Sequence, residues 1–184
     1  MKIIITESQY NRILKEEEEQ KVLRISSLKL FNNDWDLLQK FLERKGNPPY
    51  TFGGDLDLEG TPIESLGNLI SVEGYLDLRV TLIESLGNLK SVGNGLYLQG
   101  TSIKSLGDLT SVGGNMDLRK APIKSLGNLT LVVGNLDLEG TSIESLGNLT
   151  SVGLDLDLRD TPLSEKYTKD EIKQMVNVGG TIHL

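Results

Sequence analysis

From Gly54 onward, apolar residues return to the same columns every twenty positions. One column reads Leu56, Leu76, Leu96, Met116, Leu136 and Leu156, and a second reads Leu58, Leu78, Leu98, Leu118, Leu138 and Leu158. A third reads Ile63, Ile83, Ile103, Ile123, Ile143 and Leu163, while Leu66, Leu69 and Val72 each recur through five copies. Self-similarity at a fixed period marks a solenoid, in which each turn buries its apolar residues only against its neighbours. Two shorter periods lie inside each copy. Leu-x-Leu is a period of two, which points Leu136 and Leu138 inward from a short strand and Asp137 outward. Ile143, Leu146, Leu149 and Val152 return every third residue, a spacing that suits a tight or extended threefold turn better than an α-helix. Gly147 would weaken a helix as well. Each copy therefore predicts a strand, a corner, a threefold back wall and a glycine-rich return. Stacking the copies predicts a repeat solenoid of the α/β class with a parallel sheet on one face, its strands about 4.8 Å apart.

The two ends break the period and read as caps, which an open solenoid needs over its terminal coils. The chain is expected to organise as a helical N-terminal cap over 1–52, a solenoid over 53–163 and a C-terminal cap over 164–184, within one structural domain. In the first segment, Thr6 and Gln9 have capping-box spacing, followed by Tyr10, Ile13 and Leu14 at helical spacing. The run Glu16 to Glu19 reads as a solvated helix face. A second helix is expected from about Asn33, with Trp35, Leu38, Phe41 and Leu42 on one side and Gly46 before Asn47-Pro48-Pro49 ending it. Near the other end, Thr168 and Glu171 form a second capping box. "VGGTIHL" then aligns with "VVGNLDL" at 132, which makes Ile182 and Leu184 the last inward pair and places His183 in the Asp137 column.

The repeat resembles the leucine-rich repeat family in its short, bacterial-type form. The family pattern L-x-x-L-x-L-x-x-N/C-x-L matches at Leu76, Leu78, Thr81 and Ile83, and again at Leu136, Leu138, Thr141 and Ile143; the resemblance spans roughly residues 54 to 163. Two departures stand out. The first leucine is replaced by Glu73, Gly93, Gly113 and Gly153, with only Val133 apolar, and the asparagine is replaced by Thr61, Thr81, Thr101, Thr141 and Thr161, or by Ala121. A threonine hydroxyl can still bond the backbone of a corner. The resemblance implies a fold and a habit of binding proteins on the sheet face. The opening "MKIIITESQYNRIL" also resembles the start of small phage-encoded proteins, which would make a host or defence protein a plausible target.

Composition narrows the chemistry. The 184 residues are 38% hydrophobic and 24% charged, and Ile3-Ile4-Ile5 is too short for a signal-peptide core or a membrane span. A cytoplasmic protein is expected, in the host cytoplasm if phage-encoded, with no membrane partner. Without cysteine there are no disulfides, thiol catalysis or cysteine zinc sites. The net charge of −7 argues against a nucleic-acid binder. No phosphate-binding loop is present, and "DLDLEG" at Asp55 fails as a calcium loop because its leucines belong to the core columns. Ser65, Ser85, Ser105, Ser125 and Ser145 recur as a corner column rather than as a nucleophile, and His183 reads as an exposed strand residue. No enzyme and no cofactor or metal are expected.

The outward strand positions carry the functional expectation. The central column reads Asp57, Asp77, Tyr97, Asp117, Asp137 and Asp157, flanked by Asp55, Tyr75, Gly95, Asn115, Asn135 and Asp155 on one side. On the other side stand Glu59, Arg79, Gln99, Arg119, Glu139 and Arg159. These positions hold nine acids and three arginines, a net of −6. Aspartates about 5 Å apart repel by roughly 1 kcal/mol in water and about 3 kcal/mol at an effective dielectric of 20. Aspartate is also a poor strand former. Cross-strand pairs such as Glu59 with Arg79 and Arg119 with Glu139 are expected to relieve part of the repulsion. Tyr75 and Tyr97 depart from the copied pattern and look like anchors for a Lys- or Arg-bearing partner. The expected protein-binding residues are Asp57, Tyr75, Asp77, Arg79, Tyr97, Asp117, Arg119, Asp137 and Asp157, on a monomer or weak dimer. The competing readings are a cation-binding or purely structural solenoid, an acidic nucleic-acid mimic, and an aspartate column that merely echoes repeat duplication.

Overall fold

The computed structural model describes residues 6–8 and 22–184. Glu7 and Ser8 are helical; the rest of the helix expected beyond Thr6, with Gln9, Tyr10, Ile13 and Leu14, and the run Glu16 to Glu19 lie outside the described residues.

The twenty-residue period becomes a coil, and the coils stack in register. A front sheet of seven parallel strands runs through Leu56–Asp57, Leu76–Asp77, Leu96–Tyr97, Met116–Asp117, Leu136–Asp137, Leu156–Asp157 and Ile182–His183. Partners are equivalent residues of successive coils, for example Leu136 with Leu156 and Asp137 with Asp157. The back wall, expected only as a threefold turn, also ends in a strand. It forms a second parallel sheet of eight strands: Leu23–Ile25, Tyr50–Phe52, Leu69–Val72, Ser91–Val92, Ser111–Val112, Leu131–Val132, Ser151–Val152 and Asn177–Val178. The solenoid therefore carries parallel sheets on two faces. The reason is geometric: once coils stack at one spacing, every extended segment has its copy a strand's width away and pairs with it. Between the sheets the Leu, Ile and Val columns are buried as one continuous core.

The corners are held by the small polar residues of the repeat. Each column serine accepts the N–H of the glycine two residues on, from Gly67 to Gly147, at 3.0–3.1 Å. Those glycines have φ of +56° to +59°, a region closed to most side chains. The corner threonines, all but Thr61 buried, donate their hydroxyls to the leucine carbonyl three residues back at 2.6–2.8 Å, so the backbone bond expected of them is present. A second left-handed corner holds Gly60, Gly100 and Gly140 in three coils but Val80 in another, at φ +58°. A β-branched residue held there costs about 1–3 kcal/mol. Val80 and nearby Leu82 are both exposed.

The N-terminal segment is not helical throughout, because Leu23–Ile25 and Tyr50–Phe52 extend the back sheet beyond the repeats. Their alternation, Leu-Arg-Ile and Tyr-Thr-Phe, is a strand pattern hidden by its brevity. Between them a 3₁₀ turn at Leu28–Phe31 leads to helix α1, Trp35–Arg44. Asp34 caps α1 by accepting the Leu37 N–H at 3.0 Å, and Trp35, Leu38 and Leu42 are buried over the first coil. After the last full repeat, α2 (Pro162–Lys166) and α3 (Lys169–Met175) replace the back wall. The Thr168–Glu171 capping box of α3 is present; α2, capped by Thr161 and Ser164, is an addition to the expected elements. The final strand pairs Leu156 with Ile182 and Asp157 with His183, as the alignment of the closing sequence predicts. No helix among the described residues is long and apolar enough to cross a membrane.

Candidate functional site

Each aspartate of the central column closes a local ring before it faces anything else. The Oδ1 atoms of Asp57, Asp77, Asp117, Asp137 and Asp157 accept the N–H of the residue two further on at 3.0–3.1 Å. This is an Asx turn, which takes over a backbone donor as the strand leaves the sheet. The preference for aspartate over a better strand former thus has a local cause that period and propensity alone do not reveal.

The arginines lock three of these turns. Arg79 Nε lies 2.9 and 3.0 Å from the two Asp77 oxygens, with Nη2 at 2.5 Å from Oδ2. Arg119 repeats the arrangement on Asp117, and Arg159 on Asp157. Between coils, Arg79 reaches back to Glu59 at 2.9 Å and Arg159 to Glu139 at 3.4 Å. The Glu59–Arg79 pair is therefore as expected. The Arg119–Glu139 pair is not: Arg119 meets Asp137 at 3.4 Å instead. Reaching back, it would find only the neutral Gln99, and its hold on Asp117 leaves Nε beside the next aspartate.

Asp137, like Asp57, has a glutamate in its own coil where other coils carry an arginine, and it is the less exposed of the two. Burial, together with the charges of Asp117 and Asp157, raises its carboxyl above the ordinary range, against the lowering effects of the Glu139 amide and Arg119. At Asp157 burial acts the same way, but the hydrogen bonds and charge of Arg159 outweigh it and the carboxyl falls below the ordinary range. A carboxyl raised on folding binds its proton more tightly in the native state, so its ionisation weakens the fold as pH rises toward neutrality. Asp137→Asn keeps the Oδ1 acceptor and removes that charge. It is expected to raise stability by up to about 1 kcal/mol at neutral pH, discounted for solvent screening. The gain should vanish in acid, where the wild-type carboxyl is protonated; thermal melts of both proteins across pH 3 to 8 check it.

The flanking column forms a ladder of its own. Asp55 Oδ1 accepts the Tyr75 N–H at 3.0 Å, Asn115 accepts that of Asn135 at 2.9 Å, Asn135 that of Asp155 at 2.9 Å, and Asp155 that of Thr181 at 2.7 Å. Sequence reasoning treated this column as surface charge. The available signal was the glycine before most ladder positions: a Cβ at Gly74, Gly134 or Gly180 would run into the Oδ1 of Asp55, Asn115 or Asp155. Two links are missing, because Tyr75 and Gly95 carry no acceptor there.

The gap holds the two departures from the repeat. Tyr75 and Tyr97 meet edge-on, with ring centroids 6.5 Å apart at 64°, and both are half-buried. The Tyr97 ring lies on Gly95, where a Cβ would stand 2.6 Å from its hydroxyl. The Arg79 guanidinium carbon is 6.0 Å from the Tyr97 ring centre. Burial, then Asp57, Asp55 and Asp77, raise the Tyr75 phenol. Of the nine front-face acids, Asp55, Asp57 and Asp155 make no ion pair among the described residues. Two of these three are the ones beside Tyr75. The structure thus gathers Asp57, Tyr75, Asp77, Arg79 and Tyr97 into one cluster. Asp117, Arg119, Asp137 and Asp157 lie further along the face, where Arg119 serves both Asp117 and Asp137 and Arg159 holds Asp157.

Two carboxylate groups, Asp57–Glu59–Asp77 and Asp137–Glu139–Asp157, bring oxygens within 4.8 Å of one another. In each, an arginine already bridges two members, Arg79 in the first and Arg159 in the second. His183 sits half-buried beside Asp157, and every column serine is engaged at its corner. No protein-family model, no curated protein and no solved structure matches this chain.

Proposed function

We propose that the protein is a non-catalytic binding module that holds a partner protein with a basic surface against its front face. The contact centres on the first three coils rather than on the whole acidic strip. One observation carries the reading: a half-exposed tyrosine pair stands beside Asp55 and Asp57, carboxylates that make no ion pair among the described residues. An aromatic surface bordered by carboxylates that no arginine or lysine pairs suits a Lys or Arg side chain, through cation–π attraction and charge pairing together. The kinship of pattern with leucine-rich repeats adds a precedent for recognition on the sheet face. The corner roles of the serines favour a chain without catalytic machinery.

The test is affinity capture from the producing cells, or from a host if the chain is phage-encoded, followed by binding measurements on the captured partner. Asp57→Asn is expected to weaken binding at low salt and to matter less as salt rises. Tyr97→Ala should weaken it at all salt concentrations, because an aromatic contact rests on desolvation and packing. Asp157→Asn, at the far end and paired with Arg159, should leave affinity nearly unchanged. A partner indifferent to both Asp57→Asn and Tyr97→Ala would place the interface elsewhere.

A further inference from the structure

The missing ladder links have a chemical consequence. In the flanking column the amides of Tyr75, Asn135, Asp155 and Thr181 are each held by a side-chain oxygen of the preceding coil. The Gly95 amide is not, because residue 75 is a tyrosine; the Gly95 carbonyl is fixed, accepting the Leu76 N–H at 2.9 Å. The residue before it is Asn94, exposed, with its own N–H on the Gly74 carbonyl at 3.0 Å and no hydrogen bond to its side-chain amide. Asn94-Gly95 is also the one Asn-Gly pair in the sequence. Glycine places no side chain in the way of attack on the preceding residue and permits the backbone rotation that attack requires.

We propose that Asn94-Gly95 is a site of spontaneous backbone modification, in which the asparagine loses its amide through a succinimide. The Gly95 nitrogen, in a buried residue beneath the Tyr97 ring, gives up its proton to base and attacks the exposed Asn94 side chain at Cγ, forming a C–N bond. The Cγ–Nδ2 bond breaks and the nitrogen leaves as ammonia, carrying the proton returned by solvent. Water then opens the five-membered ring at either carbonyl, leaving an aspartyl or an isoaspartyl linkage at position 94. No oxidant or cofactor enters the balance.

The other asparagines lack one or more of these conditions. Asn68, Asn88, Asn128 and Asn148 are followed by leucine, and Asn47 by a proline that has no N–H. Asn115 and Asn135 have their Oδ1 atoms committed to the ladder. Modification at position 94 adds a carboxylate, and in the isoaspartyl form an extra backbone atom, at the entry to Leu96–Tyr97 and next to the residue on which the Tyr97 ring rests. If the front face binds a partner as proposed above, the same event slowly retires that site; the modification itself does not depend on that reading.

The experiment ages the full chain at 37 °C and pH 8, with peptide mass spectrometry and isoaspartyl methyltransferase labelling as readouts. Amide loss at Asn94 should run roughly tenfold faster than at any other asparagine, equivalent to about 1.4 kcal/mol of barrier, and should accelerate with pH. Tyr75→Asn separates structure from dipeptide sequence, because it restores the link to the Gly95 amide while leaving Asn94-Gly95 intact. Asn135 makes the equivalent bond beside Leu154, so a side chain at position 94 is no obstacle. In Tyr75→Asn the reaction should slow severalfold, and Tyr75→Asp serves as a second restoring variant should the first fail to fold. Amide loss at Asn94 no faster than at Asn128 overturns the proposal. So does an unchanged rate in a restored variant whose Gly95 amide is shown by hydrogen exchange to be protected.

Discussion

Deleting the residues ahead of Gly53 is expected to convert the protein into an associating species. Trp35, Leu38, Leu42, Tyr50 and Phe52 are buried against the first coil, and each fully buried side chain of this size contributes about 1.5–3 kcal/mol. Their loss uncovers Leu56, Leu58, Ile63 and Leu66. It also frees the edge of Leu69–Val72, which otherwise pairs with Tyr50–Phe52. Tyr50 adds a specific bond, donating its hydroxyl to the Leu66 carbonyl at 2.8 Å, and burial holds that phenol neutral well above the ordinary range. Light scattering on the shortened chain should show oligomers or precipitation, with a lowered melting temperature for whatever stays soluble. A soluble monomer that melts where the full chain does would show that this segment is not a cap.

The second large effect is expected at Asp77. Its carboxylate is only 7% exposed, accepts the Arg79 N–H and takes the Arg79 guanidinium through Nε and Nη2. Asp77→Ala removes all of these bonds at once and should cost about 2–3 kcal/mol, since bonds to a buried charge are worth more than neutral ones. For a chain of this length that is a fall of about 5–10 °C in melting temperature. Asp77→Asn retains the Asx turn and should cost less. Asp57→Ala, at an exposed position with no arginine, loses only a backbone bond and should cost about 0.5–1.5 kcal/mol. Equal losses for Asp77→Ala and Asp57→Ala would refute the distinction between a carboxylate clamped by an arginine and one that is not.

That distinction divides the candidate site into a part that could be read in advance and a part that could not. Tyr75 and Tyr97 were visible as breaks in a repeat, and their approach to each other follows from the twenty-residue register that seats neighbouring coils side by side. The count of nine acids against three arginines was equally visible. Its meaning was not. A one-dimensional count assigns every carboxylate the same role, whereas the fold gives Asp77, Asp117 and Asp157 an arginine each and Asp55 and Asp155 a backbone amide of the next coil.

By itself the sequence determined the solenoid, its period, the inward columns, the closing register of Ile182 with Leu156, the helix from about Asn33 and the capping box at Thr168. Apolar periodicity governs burial, and capping chemistry is local, so both act within a few residues of chain. Only the tertiary structure decided that the back wall pairs into a second sheet and that Arg119 turns to Asp137 rather than Glu139. It alone showed that the flanking Asn and Asp side chains form a ladder broken at Tyr75 and Gly95. These outcomes depend on which donor of one coil lies opposite which acceptor of the next, a relation set by stacking geometry across twenty residues and absent from any single copy of the repeat.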